Sequence, residues 1–170
     1  KPLQTITAAW GARDANWFFD FPTSARKVIE LLEESEYYKE KNIKFTGAIA
    51  INPKIITDFL EIVEQIELPE YETVINSQNF MPVLQKEIET GEDNKAGHPK
   101  KILQMLMPKL FEKIGQIDEN QKKALLQKII YRLANKDIQI YFQDILVENY
   151  LKDFQVTGEI AKLPTDFNGD

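Results

Sequence analysis

From Lys100 onward, apolar residues return every three or four positions: Ile102, Leu103, Leu106, Leu110, Phe111, Ile114 and Ile117. That spacing lines one face of a helix and predicts that this face is buried. Pro108 falls inside the run. It predicts a kink or a division, because proline has no N–H to give and its ring crowds the preceding turn. Asp118 is the expected cap of a further helix, with Leu125, Leu126, Ile129, Ile130 and Leu133 as its inner stripe. Asp137-Ile-Gln-Ile-Tyr-Phe-Gln143 alternates with period two and predicts a strand. A short amphipathic helix over Asp144–Phe154 and a last strand at Val156–Leu163 complete this half.

The first half is less regular. Residues 1 to 22 read as irregular, with a short strand near Leu3–Ala8. Pro22-Thr23-Ser24 predicts a helix start with a hydroxyl cap, followed by an apolar side of Val28, Ile29, Leu31 and Leu32 and a run to about Tyr38. The uncharged segment Phe45–Ile51 predicts a strand buried on both faces. Asn52-Pro53 then supplies a cap with proline at the first helical position. Ile55, Ile56, Phe59, Leu60 and Val63 follow at helical spacing, so strand, cap and helix make half of a βαβ unit. Residues 66 to 75 alternate loosely around Pro69 and predict an edge strand or hairpin arm. Ser77 or Asn79 should cap a helix that carries Phe80, Val83, Leu84 and Ile88 and ends at Gly91, before a polar loop over Glu92–Pro99. The fold class expected is α/β: one helix-rich domain over residues 1–170 with a small mixed sheet.

Composition narrows the functional classes. The 170 residues suit one domain with a real core. Twenty-seven acidic against twenty-one basic side chains leave a net charge of -6, whereas a duplex nucleic-acid binder normally carries a basic surplus. Cysteine is absent, which removes disulfides, thiolate metal sites and cysteine nucleophiles. No apolar run approaches the roughly 20 residues that cross a bilayer. His98 is the only histidine and cannot anchor a typical zinc site. Neither a glycine-rich phosphate cradle nor a nucleophile-elbow pattern occurs. The chain begins at Lys1 and reads as a piece of something longer.

The chemistry gathers in Trp10–Arg26, which holds both tryptophans, three of the ten phenylalanines, Arg13, Arg26, Asp14 and Asp20. Such density without periodicity suggests a loop held in one shape by its own side chains. Arg13 and Asp14 suit a phosphate and a divalent metal, since a guanidinium forks onto phosphate and hard metals take carboxylate oxygens. The simpler expectation is that Arg13 pairs with Asp20 or Asp14 and pins the loop. Trp10, Trp17, Phe18, Phe19 and Phe21 would form a stacking platform if exposed, but such a set is more often a satellite core. Lys100 and Lys101 open a helix and could join its amides around an anion; solvated lysines are the plainer reading.

Gly11-Ala-Arg-Asp-Ala-Asn-Trp17 and Asp20-Phe-Pro-Thr-Ser-Ala25 resemble the signature of a bacterial domain family of unknown function, number 4012. Gly47–Pro53, Asn79, Lys100-Lys101 and Lys136–Asp144 are similar to later segments of that family. The resemblance implies an extracytoplasmic domain of a membrane-anchored bacterial protein, trimmed here from a larger α/β/α domain. Its membrane contact would come through a segment that this chain lacks. It further implies a distant similarity to the LytR-CpsA-Psr wall-polymer transferases, in which an Arg-Asp pair and further arginines hold a pyrophosphate with magnesium nearby.

Two functions follow. The first is a cell-envelope binding or scaffold domain that acts through the Trp10–Asp20 loop on an envelope polymer or protein, without a cofactor or nucleic acid. Its binding residues would be Arg13, Asp14, Asn16, Trp17 and Asp20, with Lys100 and Lys101. The alternative is a magnesium-dependent phosphotransferase acting on a polyprenyl-pyrophosphate-linked polymer. There Arg13 would hold pyrophosphate, Asp14 would serve the metal, and the two lysines would neutralise charge.

Overall fold

The computed structural model describes residues 11–98 and 100–160, apart from the side chains of Arg13, Asp93 and Asn94. The expected strands at Leu3–Ala8 and beyond residue 160 lie outside that range. In chain order come α1 (Phe21–Glu34), α2 (Glu36–Glu40), β1 (Gly47–Ile51), α3 (Lys54–Val63), β2 (Gln65–Leu68) and β3 (Thr73–Asn76). There follow α4 (Phe80–Thr90), α5 (Glu92–Lys95), α6 (Lys101–Gly115), α7 (Glu119–Ala134), β4 (Ile138–Phe142) and α8 (Ile145–Asp153). The class is α/β and helix-rich, as the sequence pattern predicts. Among the described residues the strands pair as β1 with β4 and β2 with β3. Two compact units result: one takes the residues up to Ala50 together with those from Leu133, and the other is Ile51–Arg132.

In the first unit, α1 buries Phe21, Ala25 and Ile29 against Tyr141, with Phe45, Ala48 and Ala50 packed on that cluster. The helix cap is not a hydroxyl, as expected, but Asp20, whose Oδ2 accepts from the Thr23 N–H at 3.0 Å. Pro22 sits in the first turn, where its missing N–H costs nothing. Thr23 and Ser24 therefore lie inside the helix. Strand β1 is buried on one face only: Ile49 and Ile51 are 61% and 56% exposed. The small side chains of Ala48 and Ala50 take the inward positions, and alternation sends the isoleucines out. Gly47 is required where β1 meets β4, because a Cβ there would collide with the Tyr141 carbonyl oxygen. The last expected strand does not form over 156–160. Gln155 and Gly158 both take positive φ (55° and 67°), which breaks an extended run, although Ile140 N–H still donates to the Val156 carbonyl at 2.9 Å.

In the second unit, Leu60, Ile66, Leu68, Ile75, Phe80, Leu106 and Leu110 form the centre of the core. The region around Pro69 is a hairpin. β2 and β3 pair antiparallel with Ile66 opposite Ile75, and Pro69–Tyr71 forms the one-turn helix between them. Asn79 precedes α4 but its side chain locks the hairpin instead of capping that helix. Its Oδ1 accepts from Asn76 N–H at 2.8 Å, and its Nδ2 donates to the Val74 carbonyl at 2.7 Å. Helix α3 starts one residue later than expected, at Lys54, whose N–H donates to Asn52 Oδ1 at 3.1 Å. The expected polar loop contains the single turn α5. Helix α6 runs through Pro108 undivided. The proline lies on the exposed side, while Ile102, Leu106 and Leu110 anchor the opposite face in the core.

Helix α7 departs most from its sequence pattern. Asp118 and Gln121 form the reciprocal cap, each side chain accepting from the other's backbone N–H at 2.8 and 3.0 Å. Yet no residue of α7 is fully buried, and Leu126 and Ile130 of the expected inner stripe are exposed. Leu125 of that stripe, with Ala124, packs on the core, Ile129 and Leu133 are half-buried, and polar groups tie the helix to α3. Gln121 Nε2 donates to the Ile62 carbonyl at 3.1 Å, Lys128 meets Glu61 at 2.6 Å, and Arg132 clamps Asp58 through two bonds of 2.6 and 2.8 Å. These three residues lie on one stripe of the helix.

Asp58 is buried, and the Arg132 hydrogen bonds hold its carboxyl below the ordinary value against the effect of burial, helped by the charges of Arg132 and Lys128. Arg132→Ala should therefore cost about 3 kcal/mol in urea denaturation, because it leaves a buried carboxylate without its main partner. The sign with pH is fixed by the lowered pKa. The stabilisation is complete above the unfolded value of ~3.9 and is lost as pH falls through the lower folded value. The gap between wild type and variant should close in that acid range.

Candidate functional site

Residues 11–20 form a loop pinned at both ends. A turn of tight helix at Ala12–Asp14 is closed by Gly11 N–H on Asp14 Oδ2 at 3.1 Å and by Asp14 N–H on the Gly11 carbonyl at 2.9 Å. Ala15 is fully buried, and Phe21 at the far end is buried too. Between those two anchors the chain turns its side chains outward: Asn16 is exposed, and Trp17 and Phe19 are 70% and 94% exposed, with Phe18 also open. The satellite core expected of these aromatics does not form among the described residues. Of its described members, Phe21 joins a core. Trp10 and the Arg13 side chain, and with them the expected Arg13 pairing, lie outside the described residues.

Asp20 closes the loop. Its Oδ2 takes the Thr23 N–H and the Thr23 hydroxyl, and its Oδ1 accepts from Ile160 N–H at 3.1 Å. Ser24 Oγ donates to the Phe18 carbonyl at 3.0 Å, which fixes the last turn before the helix. Burial pushes the Asp20 carboxyl up. The Thr23 hydroxyl, the Ile160 and Thr23 N–H groups and the Arg26 charge outweigh it and hold the group below its ordinary value.

Asp20 also borders a small cleft of about 150 Å³, together with Arg26 of α1, Tyr141 of β4, and Glu148 and Lys152 of α8. Glu148 is 4% exposed; its Oε2 accepts from Phe142 N–H at 2.9 Å, and its Oε1 is buried with no hydrogen-bond partner among the described residues. Lys152 pairs with Glu159 at 3.0 Å. Burial raises the Tyr141 phenol above its ordinary value, with the Arg26 charge opposing and the Glu148 charge adding. Sequence reasoning missed Arg26, Tyr141 and Glu148 as site residues. Periodicity alone puts Tyr141 in a strand and Glu148 on the wet face of α8, and no spacing links either to Arg26.

Lys100 and Lys101 belong to the other unit, and both are exposed. Lys101 borders a groove of about 600 Å³ that also carries Lys86, Glu70, Glu72, Glu87 and Glu92. His98, exposed, accepts the Lys101 N–H on its carbonyl at 3.0 Å. Among the described residues, no three histidine or acidic side chains stand together as a metal site.

The family model DUF4012, described as a protein of unknown function, matches residues 2–88. The chain belongs to the DUF4012 family. No curated protein and no solved structure matches it. The DUF4012 match takes in the pinned loop, α1 through β3 and most of α4. It stops before Lys100 and Lys101 and before the α8 side of the cleft.

Asp20→Ala should remove the α1 cap and release Ile160 together, lowering stability by about 1–2 kcal/mol. Because the folded pKa is lowered, this contribution is present above pH ~4 and fades as pH falls through the folded value. Denaturation of wild type and variant across that range should show the difference shrinking with acid. Hydrogen exchange should show faster exchange at Thr23 and Ile160 in the variant.

Proposed function

We propose that this chain is a binding domain of the bacterial cell envelope that contacts an envelope polymer or protein through Trp17, Phe18 and Phe19. One observation carries the reading: these three side chains are exposed on a loop whose backbone is fixed at both ends by Asp14, Ser24 and Asp20. Exposed aromatics cost apolar hydration, and rigid ones lose little conformational freedom on binding. A pinned loop that presents them offers contact area at small entropic cost. The extracytoplasmic placement rests on the family resemblance. The phosphotransferase reading rests on Arg13, Asp14, Lys100 and Lys101, and no described geometry adds to it.

The test is co-sedimentation of the whole chain with purified bacterial wall sacculi, together with Trp fluorescence. Wild type should sediment with the sacculi, with a blue-shifted Trp emission. Trp17→Ala and Phe19→Ala should each weaken binding by about tenfold or more, as hot-spot aromatics do. Their melting temperatures should stay close to wild type, because both side chains leave the core untouched. Equal sedimentation of wild type and both variants would overturn the proposal.

A further inference from the structure

Helix α8 carries its apolar residues on the outside. Its charged residue Glu148 is buried, with Oε2 tied to Phe142 N–H at 2.9 Å, and Lys152 one turn on pairs with Glu159 at 3.0 Å. At about 100° per residue, Leu146 and Tyr150 fall on the side of the helix opposite Glu148. Ile145, Leu146, Val147, Tyr150 and Phe154 are all exposed, and the rings of Tyr150 and Phe154 meet edge to face with centres 4.9 Å apart. Five side chains of that size, open over 39–77% of their surface, leave roughly 500 Å² of apolar area in water. That lies toward the upper end of what a monomer leaves uncovered.

Two such faces laid together would bury about 1,000 Å², the size at which a specific interface begins. Charge narrows what can lie there. The exposed charges along α8 and its cap are acidic, Asp144 at the start and Asp153 at the end, and Lys152 is already paired. An anionic lipid surface would therefore meet two carboxylates and no free cation. A second α8 laid parallel would bring Asp153 against Asp153, which like charges disfavour. Laid antiparallel about Tyr150, it sets Leu146 opposite Phe154 and Asp153 opposite Val147, so no two carboxylates meet. The stripe Leu146, Tyr150, Phe154, at four-residue steps, is apolar read in either direction, as a self-complementary two-fold contact requires. We propose that this face binds a second copy of the chain, the two α8 helices packing antiparallel about a two-fold axis at Tyr150. Leu146 of each copy then packs on Phe154 of the other. The contact uses none of Trp17, Phe18 and Phe19 and stands independently of what they bind.

The experiment is sedimentation equilibrium of the whole chain, joined to cysteine cross-linking. Wild type should pass from monomer to dimer across about 1–200 μM, the range of a small interface. Tyr150→Glu sets like charges together on the axis and should weaken dimerisation by about tenfold or more, with its melting temperature unchanged. The chain has no cysteine, so introduced ones report position cleanly. Leu146→Cys mixed with Phe154→Cys should form a mixed disulfide under mild oxidation, in greater yield than either variant alone. Leu126→Cys, also exposed but on α7, should form none. A chain that stays monomeric at about 200 μM overturns the proposal. So does a Tyr150→Glu variant that dimerises as well as wild type, or cross-linking that favours Leu146→Cys with itself. Capture of wild type but not Tyr150→Glu by phosphatidylcholine vesicles would make the face a lipid contact and overturn it as well.

Discussion

One carboxylate ties together one end of the first unit. Asp20 caps α1 through Thr23, ties down the distant Ile160, and ends the aromatic loop at the point where the chain enters the helix. Each bond alone is worth about a kilocalorie per mole. Made by one group, they couple three segments, so the loop cannot change shape without uncapping the helix. The lowered pKa of Asp20 records the same fact, since the bonds to its ionised form outweigh the effect of burial.

The second unit is held by a different balance. Its hairpin and helices α3, α4 and α6 bury a continuous apolar core, onto which α7 lays Ala124 and Leu125 while Gln121, Lys128 and Arg132 tie it to α3. The Asp58–Arg132 clamp is two-pronged and largely withdrawn from water, which makes it costly to break although it adds little over an apolar pair. The apolar side chains of α7 that a core would have absorbed, Leu126 and Ile130, stay in solvent.

The same division runs through the candidate site. The loop is tied by the hydrogen bonds of Asp14, Ser24 and Asp20, and its aromatics are exposed while Ala15 and Phe21 on either side are buried. In the cleft Tyr141 and Glu148 are buried beside the exposed Arg26, and among the described residues one oxygen of Glu148 has no hydrogen-bond partner.

Local signals in the sequence determined much of the secondary structure. The three- and four-residue spacing placed α6 and α3, Asp118 marked the start of α7, Asn52 marked that of α3, Gly91 ended α4, and period two placed β4. Such features depend on residues within one turn of each other, so they are legible in order along the chain. The density of Trp, Phe, Arg and Asp without periodicity pointed to a loop, and residues 15–20 form one with Trp17, Phe18 and Phe19 exposed. Tertiary structure alone decided which apolar residues face inward: alternation and periodicity define two faces of an element but not which neighbour covers them. That is why Ile49, Leu126 and Trp17 proved exposed. Only the fold, likewise, could bring Arg26, Tyr141 and Glu148 around one cleft, because their relation is a distance in space that no spacing in the chain encodes.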